Sequence, residues 1–310
     1  MGHEPPNTTG FRRRRDLIMG RTGNTMRIKA FLTTVAAAIV GGQSAIAQSM
    51  DGVEQELQIV GAPVAGGIGF QPAATVLARD VQWLDGMLLV IITAISLFVM
   101  GLLAYVILRY NERANPTPAR FTHNSPLEVA WTVIPIVILV FIGAFSLPVL
   151  FKQQTIPEAD VNIKVTGYQW YWGYEYTDDE VYFESFMIGQ GANLNDETIA
   201  ELADAGYPPE AFALATDTSV VVPVGATVVM TVTGADVIHS WAMPAFGVKQ
   251  DAVPGRLAQL WFAAEREGIY FGQCSELCGK DHAFMPITVK VVSQEEYDRW
   301  LAWAKEEHPV

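Results

Sequence analysis

Within twelve residues the sequence gathers two cysteines, a histidine and a methionine: Cys274-Ser275-Glu276-Leu277-Cys278-Gly279-Lys280-Asp281-His282-Ala283-Phe284-Met285. Thiolate and thioether are soft donors that favour copper, imidazole serves copper or zinc, and the methionine tips the set away from structural zinc. His239, in Asp236-Val237-Ile238-His239-Ser240-Trp241, follows a predicted strand and would add a second imidazole once sheet packing brings it alongside. A single copper of the blue type uses one cysteine, two histidines and a weak axial methionine, and this chain has one cysteine more. Two cysteines four apart on a loop can both turn inward and bridge two metal ions, each ion completed by one histidine and one weak ligand. Sharing an electron over two ions spreads the bond-length change of a redox step, and less rearrangement means faster transfer at a small driving force. Each residue alone has a plainer use: a lone histidine is commonly structural, a lone methionine is commonly core, and two cysteines in an exported chain commonly form a disulfide. Their joint spacing favours the metal.

A ligand loop needs a rigid frame. Beyond Lys152 come short runs rich in Val, Ile, Thr and aromatics: Val161–Tyr176, Val181–Phe186, Ser219–Val222, Thr227–Thr233, Gln259–Phe262, Ile269–Gln273 and Ile287–Val292. Gly, Pro and Asp turns separate them, which is the texture of a β-sandwich. Asn195–Ala205 has helical spacing and reads as a surface insertion. Glu295–Lys305 reads as a terminal helix showing Tyr297, Trp300, Leu301 and Trp303. There is no internal repeat.

Upstream, Gly86–Leu108 and Val129–Phe151 contain no charged residue. Each has 23 residues, which at roughly 1.5 Å of rise span about 34 Å, enough for a hydrocarbon core of about 30 Å. Pro135 and Pro148 in the second are better tolerated in membrane helices than in soluble ones. The intervening loop sets Arg109, Arg113 and Arg120 against Glu112, which places it in the cytoplasm and both ends of the mature chain outside. Ser125-Pro126-Leu127-Glu128 reads as a capping box with proline at the first helical position. A carboxylate bordering a membrane is costly unless capped, hydrated or used, so Glu128 also suits the mouth of a proton path.

From Met26, a basic start runs into the apolar stretch Ala30–Gly42 and then Ala45-Ile46-Ala47, the pattern of a secretory signal peptide cleaved before Gln48. The formal net charge is −13, and residues 1–47 hold seven basic and two acidic residues, so a chain starting at Gln48 carries about −18. Such a field repels nucleic acid and steers basic partners in a salt-dependent way. The expected organisation is an N-terminal extension and signal peptide (1–47), an exported arm (48–79), a two-helix transmembrane hairpin (80–152), the copper-bearing sandwich (153–293) and a C-terminal helix and tail (294–310). No C-x-x-C-H haem attachment is present, and five histidines are too few for a haem–copper core in addition to this site.

The stretch C-S-E-L-C-G-x-x-H-x-x-M, set behind two membrane helices, closely resembles subunit II of the haem–copper cytochrome c oxidases. The resemblance extends from the first membrane helix to the terminal strand. It implies a transmembrane hairpin plus an all-β cupredoxin-like sandwich bearing a dinuclear CuA centre, in a bacterial inner membrane with the copper domain in the periplasm. It makes Cys274 and Cys278 the bridging ligands, His239 and His282 the terminal imidazoles, and Met285 and the Glu276 carbonyl the weak ligands. The Glu276 side chain would reach a magnesium or manganese ion shared with subunit I. The run Gly167-Tyr168-Gln169-Trp170-Tyr171-Trp172-Gly173-Tyr174-Glu175-Tyr176 is similar to that family's aromatic segment, although aromatics at such spacing also serve simple strand packing. By resemblance Trp170 is the surface ring that receives an electron from cytochrome c, and Tyr168 stands where the family more often has histidine. Glu175, Asp178, Glu180, Asp217 and Asp236 match its docking carboxylates, and Glu128 its proton-channel entrance. The implied partners are subunits I and III, cytochrome c and the membrane, with oxygen reduced to water in subunit I and protons pumped by the whole complex. A copper chaperone of the Sco type would not need the second membrane helix, His282 or Met285. A quinol oxidase subunit would lack the ligands, and a disulfide-stapled sandwich would need no metal.

Overall fold

A computed structural model describes residues 51–191 and 193–310; the expected signal peptide lies outside the described residues. Two long helices precede a two-sheet sandwich. The first, α1, runs Val76–Arg109, and the second, α2, runs Ser125–Gln154. Over their charge-free stretches both are apolar on all sides and long enough to cross a membrane, and they leave Leu97, Phe98, Leu139 and Val140 uncovered. A helix with no polar face has no preferred side for water, so lipid is the solvent that suits it.

Helix α1 begins ten residues before the charge-free stretch. Thr75 caps it, accepting from Ala78 N at 2.9 Å while its hydroxyl donates to Phe246 O at 2.7 Å, so the first turn is fixed to the sandwich. Gly247, at φ +69°, permits this approach: a Cβ there would lie 2.5 Å from Ala78 Cα. At the same level Trp261 Nε1 donates to Lys152 O, and Lys152 pairs with Asp80. The cap of α2 is Asn124 rather than Ser125: its Oδ1 accepts from Leu127 N, and Glu128 Oε1 accepts from Asn124 N at 3.0 Å. Asparagine caps as well as serine, and this choice moves the box back one residue.

One sheet has the order β4(Val181–Ser185)-β3(Tyr171–Tyr176)-β2(Val161–Tyr168)-β6(Thr227–Gly234)-β9(Ala258–Ala263). The other has the order β5(Val220–Pro223)-β11(Pro286–Val292)-β10(Gly268–Cys274)-β7(His239–Met243)-β8(Val248–Ala252). The predicted run Val161–Tyr176 divides at Gln169–Trp170 into the antiparallel pair β2–β3, while β2–β6 and β5–β11 are parallel. Strand β8 went unforeseen because Val-Lys-Gln-Asp-Ala lacks apolar alternation, as an edge strand can. Period-two alternation turns Ile163, Val165, Trp172, Tyr174, Tyr176, Met230 and Phe262 inward against Trp241, Tyr270, Ile287 and Val289. Buried indole and phenol groups in this core find partners: Trp241 Nε1 donates to Tyr174 Oη, and Tyr176 Oη donates to Val221 O and accepts from Val221 N.

The outer face of the second sheet is covered too. Residues 51–62 do not form a loose arm: β1 (Ile59–Gly61) pairs in parallel with β10, beside the stretch that β7 leaves unpaired. The insertion holding α3 (Asp196–Asp204) buries Leu202, Tyr207, Ala211 and Ala215 against Ile269 and Phe271. The terminal helix α4 (Gln294–Glu307) closes the far end with Tyr297 and Trp300 buried.

Candidate metal centre

The soft donors meet at one end of the sandwich. Strand β10 ends at Cys274, β7 begins at His239, and a loop with one 3₁₀ turn carries Cys278, His282 and Met285 into β11. Ser275 N donates to Ser240 O and Gln273 Nε2 to Ala283 O, fixing both ends of the loop. Trp172 Nε1 donates to Met285 O from below. Gly167 gives His239 its space, since a Cβ there would lie 2.9 Å from the imidazole Cγ.

The two cysteine sulfurs are buried, unbonded and 3.9 Å apart. Cys278 Sγ lies 3.6 Å from His282 Nδ1 and 3.4 Å from Met285 Sδ, and Cys274 Sγ lies 3.3 Å from Glu276 O. His239, Cys274 and Cys278 can each direct a ligand atom into a region where these atoms lie within 4.8 Å of one another. His239 is fully buried; its Nε2 meets Asp236 Oδ1 at 2.9 Å, whereas its Nδ1 has no hydrogen-bond partner. A buried ring nitrogen without a partner is costly unless something else fills that role, and its neighbours here are sulfurs. Burial pushes the Cys274 thiol up, but the neighbouring His239 imidazole and the backbone of Glu276 and Ser240 outweigh this and bring it to about 7. Burial and the adjacent Cys274 charge push Cys278 up to about 12. Two sulfurs this close resist double ionisation unless a cation joins them. The donor set, the orphaned nitrogen and the paired sulfurs fit copper.

Trp170 is half-buried beside this loop: its Nε1 and Gln169 Nε2 both donate to Cys278 O, at 3.3 and 2.8 Å. The expected docking carboxylates separate. Asp217 and Asp236 lie at the metal end, and both are employed internally. Asp217 accepts from Phe186 N and Thr218 N, and burial raises its pKa. Asp236 accepts from Gln169 N, Val237 N and His239; burial opposes its charge, but these bonds hold it below the usual carboxylate range. Glu175 pairs with Lys164, Asp178 accepts from Asn162, and Glu180 sits at φ +57°; the latter two occupy the β3–β4 turn, at the opposite end of β3 from Tyr171. Glu184 escaped the sequence reading. It is exposed on β4 near Tyr171, and the outward alternation of Tyr182 and Glu184 was the available signal. Glu128 is half-buried in the first turn of α2, far along the chain from the Cys274–Met285 loop.

Two helices able to span a membrane and a two-sheet sandwich whose end gathers cysteine, histidine and methionine define the class: a membrane-anchored protein with a candidate metal site. Residues 161–292 match the family model described as cytochrome C oxidase subunit II, periplasmic domain, and residues 63–149 match cytochrome C oxidase subunit II, transmembrane domain. The chain belongs to the cytochrome c oxidase subunit II family, and so to a haem–copper oxidase complex. It is 63% identical over 277 residues to cytochrome c oxidase subunit 2 of Cereibacter sphaeroides, covering 88% of this chain and 90% of that one. It is 46% identical over 241 residues to the probable subunit 2 of Rickettsia bellii, covering 77% and 85%. The crystal structure of the periplasmic domain of subunit II of cytochrome oxidase of Bradyrhizobium japonicum is 45% identical, covering 50% of this chain and 99% of that one with a TM-score of 0.42.

Proposed function

We propose that this chain receives electrons from cytochrome c and passes them to haem in subunit I, where oxygen is reduced to water and proton pumping is driven. A dinuclear CuA centre, when bound, supplies one-electron transfer with little rearrangement. The Cys274 and Cys278 thiolates and the His239 and His282 imidazoles would hold it, with Met285 and the Glu276 carbonyl as weaker donors. The observation that carries this reading is the buried, unpartnered His239 Nδ1 beside two unbonded sulfurs 3.9 Å apart. Asp236 holds the outer nitrogen of that ring, which fixes which nitrogen points inward. Trp170, whose Nε1 donates to the carbonyl of Cys278, is the receiving ring. Asp217, Asp236 and Glu184 provide the negative field at that end for a basic donor, with Glu175, Asp178 and Glu180 extending it along the sheet.

The Glu276 carboxylate is exposed on the same loop, and as a hard oxygen donor it suits magnesium or manganese shared with subunit I. Subunit III completes the expected assembly. The arginine-rich loop after α1 favours a cytoplasmic turn with the sandwich periplasmic, reached after signal-peptide removal near Gln48. Glu128, in the first turn of α2, then sits at the cytoplasmic face, at the mouth of a proton path. Electron spin resonance and copper analysis of the purified complex test the centre. Hyperfine structure from an electron shared over two nuclei is expected, and a signal localised on one nucleus would overturn it.

A further inference from the structure

Lys280 stands between the ligand residues Cys278 and His282, and its side chain reaches outward over Trp170. Its side chain is 74% exposed, and its Nζ lies 4.7 Å from the centroid of the Trp170 ring, paired with the carboxylate of Asp281. Gly279 makes this possible. With no side chain, the loop backbone lies against the indole, where a Cβ would come within 2.9 Å of Cζ2. The next residue can then reach over the ring. Trp170 is therefore held from one side by the Cys278–Gly279 backbone and covered by an ammonium group. Beside it is a hollow of about 270 Å³ lined by Tyr171, Phe186, Asp281 and Phe284. The nearby carboxylates Asp236, Asp217 and Glu184 are opposite in sign to Lys280. A cation seated on the receiving ring of an acidic surface works against a basic partner unless it moves.

Resting on the role proposed above for Trp170, we propose that Lys280 is a specificity-determining latch over the electron-receiving ring, opened by a cationic partner. A partner lysine reaching Asp281 takes over its carboxylate, and like-charge repulsion drives the freed Lys280 ammonium into solvent, uncovering the indole. An exposed cation–π contact is weak enough to exchange this way. A neutral or anionic donor offers no such exchange and meets a covered ring. Lys280 is a positioning residue here, acting through Trp170 and Asp281.

The test uses the assembled oxidase with a basic cytochrome c over a range of ionic strength. Lys280→Gln removes the opposing charge and is expected to lower KM about threefold at low salt, with kcat unaltered. The difference should vanish at about 0.5 M salt, as the Debye length contracts to a few ångströms. Lys280→Arg keeps the cation on the ring and should retain the KM of the unmodified protein, while Asp281→Asn should raise KM. An unaltered or increased KM in Lys280→Gln overturns the latch, provided its copper spectrum is intact. Trp170→Phe separates the two ideas. If that variant turns over normally with cytochrome c, the receiving role itself is wrong. If it is slow while Lys280→Gln keeps its KM, only the latch is wrong.

Discussion

Two buried clusters of ionisable side chains flank the same pair of strands, and they differ in one respect. On the outer face of β11, Lys290 Nζ meets Asp51 Oδ2 at 2.6 Å with both side chains almost fully enclosed, and Trp300 Nε1 donates to Asp51 O. Burial lowers the Lys290 pKa, but the nearby Tyr207 and Asp51 outweigh it and raise it, so the ammonium stays charged. At the metal end, His239 and the two cysteines are equally enclosed but leave a ring nitrogen without a partner and two sulfurs unbonded. A polar group taken from water must be repaired by a partner, and the first cluster finds all of its repair within the chain. The second leaves room for a ligand. Saturation marks a structural cluster, and an orphaned ring nitrogen beside two unbridged thiols marks a candidate ligand site.

The contrast predicts opposite responses to mutation. Cys278→Ser should have the largest effect: copper in the purified complex falls to half or less, the shared-electron spectrum disappears, and turnover drops to background. Retained turnover would break the comparison from the functional side. Next, Asp51→Ala should destabilise the sandwich by about 3–5 kcal/mol, because it leaves a buried ammonium unpaired, without altering the copper spectrum of the folded fraction. Denaturant unfolding followed by near-ultraviolet circular dichroism measures this. Asp51→Leu with Lys290→Met should recover most of the loss, which would sharpen the view that the outer pair is replaceable.

Asp236→Asn lies between the two kinds of cluster, since it removes the charge that orients His239 but no ligand. Copper affinity should fall about 10–100-fold in competition with a chelator, while folding is retained. An unchanged affinity would mean that His239 is oriented by packing on Gly167 and Trp172 alone. The smallest effect belongs to Thr75→Ala, which removes the cap of α1 and its bond to Phe246 O; a loss of about 1 kcal/mol in thermal stability is expected, with the copper spectrum constant.

The sequence was legible where chemistry is local. Cys274 through Met285 lie on one loop, so their types and spacing alone pointed to a candidate soft-metal site. The hairpin was equally plain, since a lipid-facing helix must be apolar along its length and needs no partner to reveal it. Less legible were features fixed by distant residues. Asp51 gave no sign that it would neutralise Lys290, because the pairing depends on β1 taking a place beside β10. Asn124 displaced Ser125 as a cap because two adjacent residues competed for one role, and the choice rests on backbone geometry.

By itself, then, the sequence determined the donor set, the membrane hairpin and the two-sheet character, since each follows from residue type and short-range periodicity. Only the tertiary structure decided that His239 joins the cysteines with Nδ1 free, that Lys280 rather than solvent covers Trp170, and that Asp217 and Asp236 sit at the metal end while Asp178 and Glu180 lie at the other. These outcomes depend on which strand edges meet and on the directions side chains take there. Those are long-range consequences of burying one core, and no local pattern encodes them.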